Sequence, residues 1–528
     1  MRKNSYVLGM LVFLAACAAP VTPVLPDPVT PTESVSDTAA DETITVSGDV
    51  VWLTTTDAIS LDPHRVGDHT SWNAQAQIFE GLTWFDENHQ LQPRLATSFE
   101  QIEPTVWSFN LRQNVVFTDG TPFNAYAAAL SLNRMLAPET ASPVAPTLFD
   151  MIERVEEIDD YTLHIHTYFP FSPLPSHLTH MAAYIVSPLT IHEENAGGVL
   201  VAENPVGTGP FTLSNRIYGD RIVFTRNPDY WDGAVNFETL TFIVVPDSAT
   251  QQAMLETGES HGHAGSSINI PVYQSMTGID YFVLVTPTLD YIGFNLNNPY
   301  LANHYVRRAI NAAIDRESIL YIYAGNATLA ASAASQETDF VPQGLSVPVQ
   351  NMDYARELLA QTPWPNGGFT LRFWYNTGSP ARGLVGQILQ ANLAELGINV
   401  TIELIEWGSY LAMVSAGEHD MFMLGWNTIT LDADRAFFGM YHSSNHGAPG
   451  NRFWYSSEVA DALLEAGRIE TDPVLRQEIY NELGALLADD LPMIPLVFPH
   501  TPVATQGIDG IHVDLRGVPF FHHVTLRP

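Results

Sequence analysis

The chain of 528 residues contains one cysteine, Cys17, and one lysine, Lys3. A single cysteine cannot form an internal disulfide, so the burial of apolar side chains has to stabilise the folded chain. A P-loop needs a lysine to bind phosphate, and no lysine follows Lys3, which excludes a P-loop ATPase. No stretch beyond the N-terminal region is long and apolar enough to predict a transmembrane helix.

Positive charge is also scarce. The chain has 22 Lys and Arg against 58 Asp and Glu, which gives a formal net charge of −36. Nucleic-acid binding is excluded, because neutralising phosphates requires many lysines and arginines. The excess of acid is more typical of a solvated acidic surface than of a site for a cationic ligand.

The N-terminus has the order of a secretion signal. Arg2 and Lys3 precede an apolar run over 6–16, and small residues lead directly into Cys17. A cysteine at this place is typical of a bacterial lipoprotein, although a chance cysteine in an ordinary signal is the alternative. We therefore predict a signal peptide over 1–16, and a lipidated Cys17 with a flexible Pro- and Thr-rich linker over 17–42.

The remaining chain alternates strand-like and helix-like patterns, which predicts an α/β fold. Apolar residues make up 46% of the chain, ample for a large core. The predicted strands cover 50–54, 105–111, 162–169, 211–213, 222–225, 240–245, 291–296, 369–375, 400–406, 421–426 and 493–498. The predicted helices cover 72–85, 124–136, 248–257, 306–323, 383–396, 409–416, 459–469 and 474–488.

Short segments spaced along 45–528 carry a family resemblance. They are SLDPH (60–64), IFEGL (78–82), WSFNLR (107–112), FTDGTPF (117–123), PVGTGPF (205–211), RNPDYW (226–231), RRAINAAIDR (307–316) and LGI (396–398). Taken together, they resemble the extracytoplasmic solute-binding proteins of ABC importers, in the peptide/nickel-binding class. No helical pattern follows the glycines of 205–211, so this segment predicts a structural turn and not a phosphate loop.

The resemblance implies a mixed α/β, two-lobed fold that closes by a hinge on a ligand in the cleft between the lobes. Lobe I would take residues 43–75, 190–290 and 493–528. An extra domain would take 76–189, and lobe II would take 291–492. The chain would cross between the lobes near 290–295 and 492–498.

The resemblance also locates the ligand site. In dipeptide-binding relatives an aspartate follows the segment matching Gly425 and Trp426 and pairs with the peptide amine, but this chain has Ile429 there. The arginine that holds the peptide carboxylate is matched by Asn376. Because an apolar residue cannot neutralise a buried ammonium group, we expect no recognition of free dipeptides by their termini. Longer peptides held through their backbone and non-peptide ligands both stay open.

Aromatic and polar residues remain to line this site. Tryptophans give contact area with a hydrogen-bonding tip, although core packing is the alternative for each of them. Asp432 is a candidate for contacting a cationic group, but is more typical of a helix N-cap. Arg382 is a candidate anion clamp, but we expect a surface arginine. The predicted ligand-binding residues are Trp72, Asn376, Trp407, Gly425, Trp426, Asn427, Ile429 and Asp432.

Metal binding and catalysis have weaker support. The histidine pairs at 164/166, 261/263 and 522/523 lack the spacing of a closed metal site, so we expect no metal and no cofactor. An exported hydrolase is a competing hypothesis, but we expect neither a nucleophile elbow nor a His-Glu-x-x-His site. A third hypothesis is a surface lipoprotein that acts in adhesion or as a scaffold.

The sequence therefore predicts a binding protein and not an enzyme. We expect a monomeric receptor, lipid-anchored in the periplasm or on the cell surface, that captures an oligopeptide or peptide-like solute. It would deliver the solute to the permease and ATPase subunits of an ABC transporter. The alternative ligand is an oligosaccharide or another non-peptide solute.

Overall fold

A computed structural model describes residues 48–377, 379–448 and 450–527. The predicted signal peptide, Cys17 and the linker lie outside these residues. Within them, none of the helices is both apolar enough and long enough to cross a membrane.

Strands and helices alternate along the described chain. The strands are β1 (Asp49–Thr54), β2 (Thr83–Phe85), β3 (Leu91–Pro93), β4 (Ala96–Glu103), β5 (Val106–Leu111), β6 (Ile152–Asp159), β7 (Thr162–Thr167), β8 (Phe211–Ile217), β9 (Arg221–Arg226), β10 (Thr239–Val244), β11 (Gly262–Ala264), β12 (Asp280–Val285), β13 (Thr288–Phe294), β14 (Ala327–Leu329), β15 (Phe369–Asn376), β16 (Ile398–Ile405), β17 (Met421–Asn427), β18 (Met493–Thr505), β19 (Ile508–Asp509), β20 (His512–Val513), β21 (Pro519–Phe520) and β22 (Thr525–Leu526). The helices are α1 (His69–Gln75), α2 (Ala125–Leu136), α3 (Ala145–Leu148), α4 (Leu174–His177), α5 (Pro188–Asn195), α6 (Ser248–Thr257), α7 (Ile270–Ser275), α8 (His304–Ala313), α9 (Arg316–Ile322), α10 (Met352–Leu359), α11 (Pro380–Ala394), α12 (Trp407–Ser415), α13 (Ala433–Tyr441), α14 (Glu458–Ile469) and α15 (Pro473–Asp490).

The largest sheet has twelve strands and is mixed. Its main order is β16-β15-β17-β13-β18-β11-β1-β10-β9-β8, and β12 and β14 also pair with β18. The first part of β18, from Met493 to Pro499, pairs with β13 and β14. Its last part, from His500 to Thr505, pairs with β11 and β12. One long strand therefore joins the two halves of the sheet.

The hydrophobic core is divided into clusters that follow the chain. One cluster draws on residues between 50 and 79, 181 and 242, and 503 and 524. Another lies within 82–206, around a separate four-stranded sheet of order β4-β5-β7-β6. Two more take residues from 289 to 498. The mixed α/β fold is as predicted, whereas the domain boundaries given above stay predictions.

The helix predicted over 72–85 is wrong, because α1 ends at Gln75. The apolar residues that follow are buried, but their backbone turns away to pair with a distant segment. Gly209 N donates to Ile78 O at 2.9 Å, and Phe211 N donates to Gln77 O at 3.0 Å. A Cβ at Gly209 would lie 2.6 Å from Ile78 O, so the approach requires glycine. The segment 205–211 is thus a structural turn, as predicted.

The single helix predicted over 306–323 is also wrong. Its helical pattern is split between α8 and α9, and Ile314 between them has an extended backbone, with φ −72° and ψ 125°. The Asp315 side chain accepts a hydrogen bond from Ser318 N at 3.1 Å and caps α9. An aspartate that can cap a new helix competes with continuation of the old one.

Three of the segments that carry the family resemblance meet at the buried carboxylate of Glu80. Its Oε1 accepts hydrogen bonds from Arg94 Nε at 2.9 Å and from the Tyr230 hydroxyl at 2.8 Å. Its Oε2 accepts from Thr208 Oγ1 at 2.8 Å and from Trp231 Nε1 at 2.7 Å. Four donors satisfy the carboxylate, which is what a buried charge requires.

The SLDPH segment (60–64) also contributes to a buried ion-pair cluster. Arg134 of α2 binds Asp62 through both terminal nitrogens, at 3.0 and 2.6 Å, and Glu194 at 2.6 Å. His64 Nδ1 accepts from Arg134 Nη1 at 2.8 Å, and its Nε2 donates to Tyr184 O at 3.0 Å. Burial, together with the Arg134 charge, lowers the pKa of His64 to about 4.

Glu80→Ala should lower the stability of the protein by about 3–5 kcal/mol, because it leaves Arg94 and three neutral donors without their buried acceptor. The thermal unfolding midpoint measures this loss. Glu100→Ala, which removes an exposed carboxylate of β4, is the matched control and should change stability by no more than about 0.5 kcal/mol. Equal midpoints for the two variants would contradict the role given to Glu80.

His64 should also make stability depend on pH. The folded protein keeps His64 neutral down to pH about 4, whereas an unfolded histidine takes up a proton below pH ~6.5. The contribution is therefore complete above pH ~6.5 and is lost as the pH falls towards 4, by about 3 kcal/mol in all. Denaturation of His64→Gln from pH 4 to 7 should show a shallower loss than the wild type. A constant offset between the two proteins would contradict this.

Candidate functional site

Strand β17 and the turn that follows it form the centre of the candidate site. β17 pairs with β13, which places Gly425 opposite Asp290 and Trp426 opposite Leu289. Its residues are buried on both faces, which explains their continuous apolar sequence. After β17 the chain turns through Leu431, which has φ +51°, and enters α13.

This turn lies where the core clusters approach each other. Ile429 packs against both the cluster of 50–79, 181–242 and 503–524 and the cluster of 82–206. Nearby, Ser172 N donates to Arg468 O at 2.9 Å. His177 Nε2 lies 3.6 Å from Asp434 Oδ2. The turn is therefore enclosed by segments from both ends of the sequence.

Several buried polar atoms of this turn have no hydrogen-bond partner among the described protein groups. They are Trp426 Nε1, Asn427 Oδ1, Thr428 Oγ1 and Thr430 Oγ1. Thr428 and Thr430 are fully buried, and Trp426 is 8% exposed. Leaving such a group without a partner costs about 1–3 kcal/mol. Four such atoms lie within five consecutive residues, and this turn is therefore the candidate site.

Trp72 lies on the opposite side of this region. Its Nε1 donates to the Tyr184 hydroxyl at 3.1 Å, and its ring lies 4.9 Å from the ring of His180. Burial lowers the pKa of His180 well below its usual value, with further contributions from the charges of Arg516 and Arg435. The Arg435 guanidinium in turn lies 5.0 Å from the Trp426 ring. Trp72 thus has His180 as its aromatic neighbour, and Trp426 has Arg435 over its ring.

Asn376 belongs to a polar network beside Gly425. Its Oδ1 accepts from Arg382 Nη1 at 2.7 Å, and Arg382 Nη2 binds Asp290 Oδ1 at 2.9 Å. The Tyr323 hydroxyl donates to the other oxygen of Asp290 at 2.8 Å. A Cβ at Gly425 would lie 3.1 Å from Arg382 Nη2, so glycine leaves room for the ion pair. The expectation of a surface arginine is wrong, since the Arg382 side chain is only 14% exposed.

Asp432 is bound within the protein. Both of its oxygens accept hydrogen bonds from Arg476, each at 2.7 Å, and Oδ1 also caps α13 by accepting from Asp434 N at 2.8 Å. The N-cap interpretation is confirmed, and the carboxylate is unsuited to a ligand cation because Arg476 already neutralises it.

Trp407 lies apart from the other two predicted tryptophans. It is the first residue of α12, is 45% exposed and stacks on Tyr410 with ring centroids 6.2 Å apart. Its place in a ligand site stays a prediction.

Residues 258–262 read Gly-Glu-Ser-His-Gly, so the chain does contain one Gly-x-Ser-x-Gly segment. It connects α6 to β11, with Gly258 at φ +78°, whereas a nucleophile elbow connects a strand to a helix. Ser260 is 1% exposed, and His261 Nδ1 accepts a hydrogen bond from Val51 N at 3.0 Å. The segment is a helix-to-strand turn with a buried serine.

Within the described chain, one set of three possible metal ligands comes together, formed by Asp232, His522 and His523, whose ligand atoms lie within 4.8 Å of one another. Asp232 Oδ2 is bound by Arg94 Nη1 at 2.8 Å, and this guanidinium opposes a cation at the same place. Burial and the charge of Arg94 lower the pKa of His522 to about 2.

Sequence reasoning missed four residues of this region: His180, Thr428, Thr430 and Arg435. Both threonines follow Trp426 and are the sequence neighbours of the predicted Ile429, so their positions in the sequence alone could have indicated them. Nothing in the sequence distinguishes Arg435 from the other arginines.

Comparison with known proteins identifies the family. The sequence model of the bacterial extracellular solute-binding proteins, family 5, middle region, matches residues 90–448. The chain belongs to this family. The glutathione-binding protein GsiB of Escherichia coli K12 is 29% identical to the chain over 465 residues, which cover 85% of this chain and 88% of GsiB. GsiB of Pectobacterium atrosepticum is 29% identical over 453 residues, covering 82% and 85%.

Solved structures share the fold of this chain, which is the two-lobed fold of periplasmic binding proteins. HbpA2 of Haemophilus parasuis has a TM-score of 0.83 and 25% identity, and covers 91% of this chain and 100% of its own. The periplasmic binding protein DppA of Helicobacter pylori, in complex with the peptide STSA, has a TM-score of 0.77 and 26% identity, covering 92% and 99%. NikA of Brucella suis, at 22% identity and a TM-score of 0.81 over 91% and 100%, shows the same fold.

Arg476→Met should destabilise the protein by about 3–5 kcal/mol, because Asp432 would stay buried without its counter-ion. The double variant Asp432→Asn, Arg476→Met removes both charges and keeps a capping side chain, so it should recover part of the loss. Thermal unfolding of both variants checks this. A double variant less stable than the single one would contradict it.

Proposed function

We propose that the protein is a solute-binding receptor of an ABC importer and captures a peptide-like solute between its lobes. It would act outside the cytoplasm as a monomer, anchored by a lipid on Cys17, and hand the solute to the permease and ATPase subunits in the membrane. It would bind its solute without catalysing a reaction.

The row of partnerless polar atoms on Trp426, Asn427, Thr428 and Thr430 carries this proposal. A peptide presents an N–H donor and a C=O acceptor at almost every residue, so it can satisfy a row of donors and acceptors along a chain segment. Relatives support this ligand class, because one is named as glutathione-binding and a similar structure holds a peptide.

The solute would not be selected by its amine in the way proposed for dipeptide-binding relatives. Ile429 packs between two apolar clusters, and an ammonium group placed against it would be buried without a counter-charge. Asn376 is occupied by Arg382 and by its own hydrogen bonds to Thr377 O at 2.7 Å and Ser379 Oγ at 3.2 Å. Hydrogen bonds to the peptide backbone are then the main source of recognition.

Closure would follow the predicted domain organisation. Lobe I would comprise 43–75, 190–290 and 493–528, the extra domain 76–189, and lobe II 291–492. β13 and β18 are the connections that would act as hinges, since β18 pairs with strands of both halves of the sheet.

Thermal unfolding of the full chain with a panel of ligands tests the proposal. The panel contains reduced glutathione, di- to octapeptides, oligosaccharides and nickel. A ligand at 100 times its dissociation constant should add roughly 2.7 kcal/mol of stability. Stabilisation by peptides supports the proposal, and stabilisation by oligosaccharides alone would replace it with carbohydrate uptake.

Thr428→Val and Thr430→Val should separate binding from folding. Each removes a hydroxyl that has no protein partner and keeps the side-chain shape, so the unfolding midpoint should stay the same or rise. Affinity for a peptide found in the screen should fall about 3- to 10-fold for each hydroxyl that contacts it. Isothermal titration calorimetry measures this affinity.

Thr83→Val is the matched control. Thr83 is equally buried, but its Oγ1 donates to Pro175 O at 2.7 Å. It should lose about 1–3 kcal/mol of stability and keep its affinity. If Thr428→Val and Thr430→Val behave like this control, the turn is structural and the proposed site is wrong.

A further inference from the structure

Arg435, the third residue of α13, has an unusual environment. Of the arginines that the structure describes, it is the one whose guanidinium neither donates a hydrogen bond nor lies within 4.0 Å of a carboxylate of the described residues. The adjacent acid, Asp434, is paired instead with Arg468, whose Nε lies 3.1 Å from Asp434 Oδ1. Arg435 Nε is buried and has no partner among the described groups.

Other arginines that lack an acidic partner donate at least one hydrogen bond to an oxygen atom of the protein, although Arg316 Nε is also buried without a partner among the described groups. Arg307 donates to Leu301 O at 2.7 Å, Arg316 to Asn311 O at 3.1 Å, Arg452 to Ala448 O at 3.2 Å and Arg112 to Arg94 O at 3.1 Å. The chain has 58 acidic residues against 22 basic ones, so an arginine without an acceptor does not reflect a shortage of acids.

The position of Arg435 is that of a ligand-binding group. Its guanidinium lies 5.0 Å from the ring of Trp426, at the start of the turn with the partnerless polar atoms. On the other side it acts on His180, whose ring lies 4.9 Å from that of Trp72. Arg435 therefore lies against the ring of Trp426, beside the turn with the partnerless polar atoms.

The neighbouring charges do not neutralise it. Arg516, which also acts on His180, is itself paired with Asp514 through Nε at 2.7 Å. His180 is held neutral, since burial, Arg516 and Arg435 all lower its pKa. Burial also lowers the pKa of Arg435, and Asp434 opposes this only in part. The nearest acid in sequence, Asp434, is thus already paired with Arg468, and no carboxylate of the described residues lies within 4.0 Å of the Arg435 guanidinium.

A guanidinium in this setting is suited to one chemical class. A partly buried cation without an anion beside it is unfavourable, and a guanidinium presents two parallel N–H groups that fit the two oxygens of a carboxylate. Because the flat face of the Arg435 guanidinium lies over the Trp426 ring, its N–H edge is available for such an ion pair.

We infer that Arg435 binds a carboxylate of the solute, and that the receptor therefore selects anionic, peptide-like molecules. This inference rests on the proposed function and names the part of the ligand that Arg435 recognises. Recognition would take place on α13, and not at the positions of Asn376 and Ile429 where dipeptide-binding relatives hold the two peptide termini.

Calorimetric titration of the full chain with matched peptides tests the inference. The probes are trialanine and tetraalanine, each as the free acid and as the C-terminal amide, so that neither amide carries a carboxylate. The wild type should bind each acid at least tenfold more tightly than its amide. Arg435→Gln should reduce this ratio to about one by weakening the acids, with amide affinities changed less than about threefold. Arg435→Lys keeps the charge but loses the paired donors, so it should give an intermediate ratio.

Arg112→Gln is the matched control, because Arg112 also lies over a tryptophan, 4.3 Å from the ring of Trp231, on the four-stranded-sheet side of the molecule. It should keep the wild-type ratio. Equal binding of acids and amides by the wild type, or an unchanged ratio in Arg435→Gln, would overturn the role of Arg435 and leave the proposed function intact. If the wild type binds none of the four peptides, both the role of Arg435 and the proposed function are overturned. If, in addition, only oligosaccharides stabilise the protein in the ligand screen, the error lies in the proposed function.

Discussion

Burying a charged side chain is unfavourable unless it has a partner, and in this protein the partner of a buried carboxylate is in nearly every case an arginine. Glu80 accepts hydrogen bonds from four donors, among them Arg94. Arg134 holds Asp62 and Glu194 together, and Arg476 binds both oxygens of Asp432. A chain without lysine beyond its third residue depends on the five fixed donors of arginine for each of these clusters. Four of the eight family segments, 60–64, 78–82, 205–211 and 226–231, contribute side chains to two of these buried clusters.

Against this background the turn after β17 and the start of α13 are exceptional. The hydroxyls of Thr428 and Thr430 and the Nε of Arg435 have no hydrogen-bond partner among the described residues, whereas Glu80, Asp62 and Asp432 are each bound by an arginine. Arg307 and Arg316 donate hydrogen bonds to backbone carbonyls, whereas Arg435 has no such acceptor and its neighbour Asp434 is paired with Arg468. This difference separates the structural arginines from the one for which we propose a binding role. Asp432 also differs from its neighbours, because both of its oxygens already accept hydrogen bonds from Arg476.

Local signals were sufficient for most of the fold. Helix α6 was predicted with its limits, because helical spacing is a property of adjacent residues, and the structure shows Asp247 as its cap. The failed helix over 72–85 depended on a contact between Ile78 and Gly209, which no local pattern encodes. The resemblance located β17 and Trp426, since the turn follows the strand directly. Arg435 could not be found, because its role depends on Asp434 pairing with Arg468, more than thirty residues away.

Strand β18 has a consequence for the order in which the chain folds. It begins at Met493, near the end of the chain, and pairs with β13 and β14 on one half and with β11 and β12 on the other. Until it is available, the edges of β11 and β13 are open and both halves of the sheet are incomplete. Such late, long-range pairing slows folding, and the twelve-stranded sheet stays incomplete until the C-terminal segment has been synthesised. An unfinished chain of this kind is the form that a translocation channel can thread.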